Sequence, residues 1–216
     1  GVWMLVSPNS INGATVGPRS PIVEPSSASW YYYGGSTPGI GSQMMVSQNA
    51  SVNCTLVNQR IMYVAFQLDA TVQVNSATVQ VVTAYSGGTA SLGIALYDVD
   101  KTSGLPGNLL YTFGTAGSLS SATSTVTLTA SGNPMVMEPG WYYIGILSRF
   151  SGGSGTPSLR ACAYRALGPA GMAFAASIPF SFLRIAGATS FSDPAATGSI
   201  AGEAATQPPF VTLGLV

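Results

Sequence analysis

Two stretches decide the predicted fold: residues 91–113 read SLGIALYDVDKTSGLPGNLLYTF, and residues 137–147 read MEPGWYYIGIL. In the first, an alternating apolar segment is followed by a polar loop that closes with Gly-Leu-Pro-Gly at 104–107, and a second apolar segment begins there. In the second, a Pro-Gly pair at 139–140 gives a turn signal directly before an aromatic strand. Short strands separated by glycine and proline turns are typical of an antiparallel β-sandwich.

The same pattern extends over most of the chain. Ile94 and Leu96 alternate with Ala95 and Tyr97, which predicts that the two pairs point to opposite faces of a sheet. Strands are predicted at 43–47, 60–68, 78–85, 90–98, 109–113, 124–129, 141–149 and 158–165. This spacing predicts an all-β protein, an antiparallel β-sandwich of jelly-roll type over residues 43–216, preceded by an irregular N-terminal arm.

Residues 1–42 form the predicted arm, because prolines and glycines recur throughout them. Proline removes a donor from a β-ladder and glycine weakens a strand. The arm nevertheless contains large aromatic side chains, which seldom remain in water. We expect these residues to be assembly contacts, packed on a neighbouring subunit or on the body of the same chain: Trp3, Trp30, Tyr31, Tyr32 and Tyr33.

The C-terminal part of the chain departs from the regular strand spacing. Residues 168–207 are rich in alanine, glycine and small polar residues, apart from an aromatic run at 178–185, and predict a long loop excursion. Residues 208–216 begin with two prolines and end in FVTLGLV. They predict a closing strand that inserts into a sheet, because an apolar terminus needs to be held in place.

Charged residues are scarce, with 7 basic and 7 acidic side chains making up 6% of the 216 residues, where about 25% is usual. Since a net charge near zero gives little self-repulsion, association is favoured. We therefore expect a homo-oligomer that covers much of this surface. The alternative is a monomer kept in solution by hydroxyl and amide groups. The basic residues form no cluster, so nucleic acid is not an expected partner.

Cys54 and Cys162 are the two cysteines, and the sequence leaves two alternatives open. They could form a disulfide between strands, or they could be two buried thiols that act as small hydrophobic side chains. Two cysteines do not make a disulfide framework, which favours the thiols. No apolar run approaches about 18 residues, so membrane insertion is not expected.

The chain contains no histidine, which excludes Ser-His-Asp and Cys-His catalysis and histidine-based zinc sites. The spacing of the carboxylates shows no paired acid and base. We expect no enzyme, no catalytic residue and no cofactor. Asp98 and Asp100 are weak candidates for a Ca²⁺ site, because they share a face at a strand end beside loop carbonyls. The favoured alternative is an Asx turn that begins the loop.

Aromatic clusters are the other candidate binding feature, at residues 30–33 and 141–143. Strand alternation puts Trp141 and Tyr143 on one face and Tyr142 on the other, and core packing is the favoured role for at least one face. For the cluster at 30–33, a contact between subunits is favoured over a platform for sugar rings.

Six segments occur in a recognisable order along the chain: the apolar strand led by Arg60, residues 93–98, the loop 104–107 with Leu109 and Leu110, the turn and strand 139–143, residues 157–160 and residues 210–213. Together they resemble a domain at the C-terminal end of tail-fibre and minor tail proteins of tailed bacteriophages. The resemblance covers residues 58 to 216. It implies a virion protein with an exposed β-sandwich, often trimeric, that contacts the host surface.

The leading functional hypothesis is therefore a bacteriophage virion structural protein, assembled in the host cytoplasm, that serves as a tail-fibre or minor tail host-adhesion component. It would be a trimer, joined to other virion proteins through the arm, that binds a glycan or a protein on the host surface. Two alternatives remain: a capsid decoration protein or head fibre whose arm grips the shell, and a carbohydrate-binding module. A decoration protein would bury residues 1–42 against the capsid, whereas a free module would tolerate their removal.

Overall fold

The computed structural model describes residues 10–11, 14–15, 48–68, 70–162, 182–192, 194, 200–203 and 208–216, and this part of the chain is almost entirely β-strand. No helix in it is long and apolar enough to cross a bilayer. The strands are β1 (Ser10–Ile11), β2 (Ala14–Thr15), β3 (Gln48–Thr55), β4 (Arg60–Leu68), β5 (Val72–Thr83), β6 (Thr89–Val99), β7 (Pro106–Ser118), β8 (Thr125–Thr129), β9 (Met135–Met137), β10 (Gly140–Ser151), β11 (Ser158–Cys162), β12 (Phe182–Ala186), β13 (Ala201–Glu203) and β14 (Val211–Leu215).

Two antiparallel sheets pack face to face. The first sheet has the strand order β13-β12-β4-β10-β6-β7. The second has the order β14-β5-β11-β3, and both β8 and β9 also pair with β5. Strands β1 and β2 form a separate two-stranded ladder. Most connections cross from one sheet to the other, and the predicted all-β antiparallel sandwich is confirmed.

The main core lies between the two sheets. The first sheet contributes alternate residues of its central strands, and the second contributes the inward residues of β5 and β14. Members of the main core include Met62, Val64 and Phe66 of β4, Leu92, Ile94 and Leu96 of β6, Ile144 and Ile146 of β10, Val74, Val79 and Val81 of β5, and Val211 and Leu213 of β14. Ile94 and Leu96 thus share one face of β6, as predicted, and the structure shows that this face points into the main core.

The opposite face of the first sheet is buried as well, and we call its apolar residues the outer cluster. Its members are Ile61, Tyr63 and Ala65 of β4, Ala95 and Tyr97 of β6, Tyr143 and Leu147 of β10, Leu183 and Ile185 of β12, and Ala188. Residues 187–192 cover part of this face. The Arg149 guanidinium connects them to β7, because it donates to the carbonyl of Thr189 and to that of Thr115 in β7, each at 3.1 Å. Strands β4, β6 and β10 therefore bury both faces, which explains their nearly continuous apolar sequences.

Tyr97 is the centre of the outer cluster. Its ring meets Tyr63 edge to face, with 5.1 Å between centroids, and Phe191 at 6.5 Å. The Tyr97 ring also lies against Gly145, where a Cβ atom would come within 2.7 Å of Cε2. Burial raises the pKa of the Tyr63 hydroxyl, and the neighbouring Tyr97 raises it further, so the Tyr63 hydroxyl stays neutral at physiological pH.

Two of the observed strands, β3 and β9, were not among those predicted from the sequence. The sequence predicts a strand at 43–47, which lies outside the described residues, as do Trp3, Trp30 and Tyr31 to Tyr33. The structure has a further strand, β3 at Gln48–Thr55, which lies at the edge of the second sheet and pairs with β11. It also has the short strand β9, which pairs with the beginning of β5. Both lie at a sheet edge, and their sequences show little alternation of apolar and polar residues. They are strands because each pairs with a neighbouring strand.

The span 168–207, predicted as a long loop excursion, contains two strands of the first sheet. Strand β12 pairs with β4, and β13 pairs with β12. The physical reason is the outer cluster, because Leu183 and Ile185, two residues apart, both point into it. Within the predicted closing segment 208–216, β14 pairs with β5.

Cys54 is a buried thiol and forms no disulfide. Its Sγ lies 3.8 Å from the Sδ of Met62, inside the main core. The register places Cys54 opposite Leu159 and Cys162 opposite Gln48, so the two cysteines occupy different rungs of the sheet. Of the two alternatives that the sequence left open, the structure thus has the thiol at Cys54, packed as a small hydrophobic side chain.

We expect Gly145→Ala to lower the free energy of unfolding by about 1–3 kcal/mol, because the added methyl group overlaps the Tyr97 ring and a packed cluster relaxes poorly. Denaturant unfolding measures the change. Gly132→Ala is the matched control, since no atom lies within 4 Å of a Cβ there. Equal stability of the two variants would show that the outer cluster is loosely packed.

Candidate binding cleft

An open cleft of about 490 Å³ lies at one end of the sandwich, where the loop between β6 and β7 meets the beginning of β10. Residues 98–104 form one wall and residues 140–142 form the other. The two walls are adjacent because β6 and β10 are antiparallel neighbours, with Tyr97 opposite Tyr143. The volume is in the range of small-molecule sites, which is roughly 300–1,000 Å³.

Asp100 shapes the first wall. Its Oδ1 accepts hydrogen bonds from the backbone amides of Thr102 and Ser103, each at 2.8 Å, and from the Ser103 hydroxyl at 3.1 Å. The amide of Gly104 donates to the Asp100 carbonyl at 2.8 Å and closes the turn. The Ser103 and Thr102 amides hold the pKa of Asp100 below its usual value, so the carboxylate is charged at neutral pH. This is the Asx turn that the sequence favours at this position.

Asp98 joins the two ends of the same loop. Its carboxylate accepts from the backbone amide of Asn108 and, at 2.9 Å, from the Asn108 side-chain amide. Gly107 makes this approach possible, because a Cβ atom there would overlap the Asp98 carboxylate. Asp98 and Asp100 are thus both engaged within the loop. Over the described residues, no group of three or more His, Cys, Asp or Glu side chains is placed to hold a metal ion.

The second wall begins with Trp141 and Tyr142, which point to opposite faces of β10. Trp141 packs against the outer cluster together with Tyr143, whereas Tyr142 packs against the main core, with its ring 5.8 Å from that of Phe66. The predicted alternation of these three aromatic residues is confirmed. All three pack on a core, yet Trp141 and Tyr142 stay half-exposed and line the cleft.

Glu138 holds the second wall in place through two hydrogen bonds. Its carbonyl accepts from the Tyr142 hydroxyl at 2.9 Å, and its Oε2 accepts from the Thr71 hydroxyl at 2.7 Å. Burial is the largest cause of the raised pKa of Tyr142; the hydrogen bond with the Glu138 backbone lowers this pKa, and the negative charges of Glu138 and Asp98 raise it.

One hydrogen bond joins the two walls. The Tyr143 hydroxyl donates to the carbonyl of Gly104 at 2.7 Å, and the Tyr143 ring itself is buried in the outer cluster. Burial also raises the pKa of Tyr143, which keeps the hydroxyl protonated as a donor. A buried residue of the central strand thus fixes the position of an exposed loop.

The arrangement is suited to binding. The half-buried rings of Trp141 and Tyr142 face a wall of carboxylates, an ammonium group and hydroxyls, so the lining is more polar than that of a typical ligand pocket and combines aromatic surface with several hydrogen-bonding groups. The turn signals in the sequence identified both walls separately. They did not show that the walls lie side by side, because that depends on the pairing of β6 with β10. Lys101, Thr102 and Ser103 were therefore missed as candidate site residues.

No protein-family model matches the chain, and no curated protein matches it.

We expect Tyr143→Phe to lower the free energy of unfolding by about 1 kcal/mol, because the bond to the Gly104 carbonyl is lost. Hydrogen exchange of the amides in residues 101–105 should become faster, since the loop loses its attachment to β10. Tyr142→Phe is the matched control, because its hydroxyl bonds to Glu138 and not to the loop. Loop exchange that is the same in both variants would contradict the role given to Tyr143.

Proposed function

We propose that this chain is a bacteriophage virion structural protein, a tail-fibre or minor tail component that attaches the particle to the host surface and has no catalytic role. Such a protein is assembled in the host cytoplasm and acts in the virion. One observation carries the proposal. The loop 104–107 and the turn and strand 139–143, the most specific segments of the resemblance, meet at one end of the sandwich through the bond from Tyr143 to Gly104.

The rigidity of this end supports a role in attachment. Binding residues are commonly placed on loops that a rigid scaffold positions. Here the loop is held at three points: by the Asp100 turn, by the pairing of Asp98 with Asn108, and by the Tyr143 hydroxyl. A loop held in this way loses little conformational entropy when it binds, which favours affinity.

The proposed assembly is a homotrimer, with other virion proteins bound through residues 1–42. Besides the low charge of the whole chain, the outward face of the second sheet supports association. The Thr78 and Thr127 hydroxyls lie 2.9 Å apart, and the Thr212 hydroxyl donates to the Thr78 carbonyl at 3.4 Å. Neutral hydroxyls such as these can be covered by another subunit without removing a charge from water, which would be costly, and the one guanidinium of β11 on this face, that of Arg160, already donates to Gln80.

We expect gold-labelled antibodies against this chain to bind the distal tail of virions of the phage that encodes it, in negative-stain electron micrographs. Tail-less heads from the same preparation are the control. Label on the capsid would replace the tail assignment with the decoration-protein alternative. Label on neither part of the particle would overturn a virion role.

We expect light scattering of the purified chain to give three times the mass of one chain. A stable monomer would contradict the proposed assembly. The same measurement without residues 1–42 separates two roles of the arm. A trimer that persists places assembly in the sandwich and leaves the arm for attachment to other virion proteins, whereas a trimer that dissociates identifies the arm as the contact between subunits.

A further inference from the structure

We propose that the cleft between residues 98–104 and 140–142 binds a neutral carbohydrate. The inference deepens the proposed function and rests on it, because it names the class of host-surface molecule that the attachment protein would bind. The chemistry of the cleft itself carries the argument. A sugar ring has an apolar face and a rim of hydroxyls, each of which donates and accepts hydrogen bonds, so its site needs an aromatic surface beside mixed polar groups.

Trp141 provides the aromatic surface. One part of the indole packs on the outer cluster, which fixes its orientation, and the residue remains half-exposed at the wall of the cleft. An amphipathic ring held in this way offers a flat apolar area at little entropic cost. Tyr142 is fixed beside it by Phe66 and by its hydrogen bond to the Glu138 carbonyl.

The opposite wall provides donors and acceptors in close sequence. The three hydrogen bonds that the Asp100 carboxylate accepts within the turn all use Oδ1, so Oδ2 takes no part in them. Lys101, Thr102 and Ser103 are exposed and line the same wall. Ammonium, hydroxyl and carboxylate groups on one turn match a ligand whose hydroxyls both donate and accept.

The charges favour a neutral ligand over a charged one. The cleft contains the carboxylates of Asp98 and Asp100 and the ammonium of Lys101, a formal sum of −2 + 1 = −1. Phosphates and acidic sugars would be repelled by the carboxylates of Asp98 and Asp100, which line the cleft. An organic cation would be repelled by the ammonium group of Lys101 on the same wall.

The test uses the full chain on an immobilised panel of neutral oligosaccharides containing glucose, galactose, mannose and N-acetylglucosamine. Polyuronates and choline conjugates represent the acidic and cationic classes. The strongest binder is then titrated by calorimetry. We expect binding to the neutral class. Tighter binding of an acidic or cationic probe overturns the inference, as does the absence of neutral binding at millimolar concentrations, where even weak sites are occupied.

Two variants locate the binding. Trp141→Ala should weaken it by about tenfold or more, since loss of an aromatic anchor is among the largest single effects at binding sites. Phe150→Ala is the matched control, because Phe150 is a half-buried aromatic residue of the same strand outside the cleft. Lys101→Ala should weaken binding by about tenfold through the loss of one charged hydrogen bond. Because Lys101 is exposed, this variant should fold normally, and it keeps the test valid if Trp141→Ala does not fold.

Equal affinities of the Trp141 and Phe150 variants, with no loss in the Lys101 variant, would place binding elsewhere. The outcomes also separate this inference from the proposed function. Tail labelling without binding of neutral sugars overturns the inference and leaves the virion role. Binding of neutral sugars without labelling of the virion overturns the virion role and leaves the cleft as a carbohydrate site.

Discussion

Burial of both faces of the first sheet is the constraint on which the rest of the structure depends. Strands β4, β10 and β6 lie between the main core and the outer cluster, so side chains of either parity are removed from water. Ser148 of β10 is a buried polar residue, and its hydroxyl donates to the Val57 carbonyl at 2.7 Å. The same crowding excludes a side chain at Gly145, where the Tyr97 ring takes the space.

The cleft depends on this doubly buried sheet. Because β10 and β6 pair with Tyr143 opposite Tyr97, the end of one strand and the beginning of the other emerge together at the same end of the sandwich. Tyr143 is held by the outer cluster and holds the loop through the Gly104 carbonyl. The loop that carries the exposed residues Lys101 and Thr102 is thereby held in position by the core, although these two residues are not part of the core. The walls of the cleft are therefore held in place by the core itself.

Much of the strand pattern was predictable, because alternation is a local property of the backbone. Ile94 and Leu96 were assigned to one face and Ala95 and Tyr97 to the other, and Trp141 and Tyr143 were separated from Tyr142. The strands that were missed depend on their neighbours. Strand β3 is an edge strand of mixed polar composition, and β12 is short and lies between β13 and β4, so each becomes a strand through pairing rather than through its own sequence.

The sequence by itself determined the fold class, the direction of the central side chains and the turn at Asp100, because each depends on residues that are close along the chain. Only the tertiary structure decided that the first sheet is buried on its outer face, that β12 and β13 extend it, and that residues 98–104 and 140–142 form one cleft. These features depend on which strands pair. Pairing joins residues far apart in sequence, such as Tyr143 and Gly104, and it is selected by the packing of the whole core rather than by any local pattern.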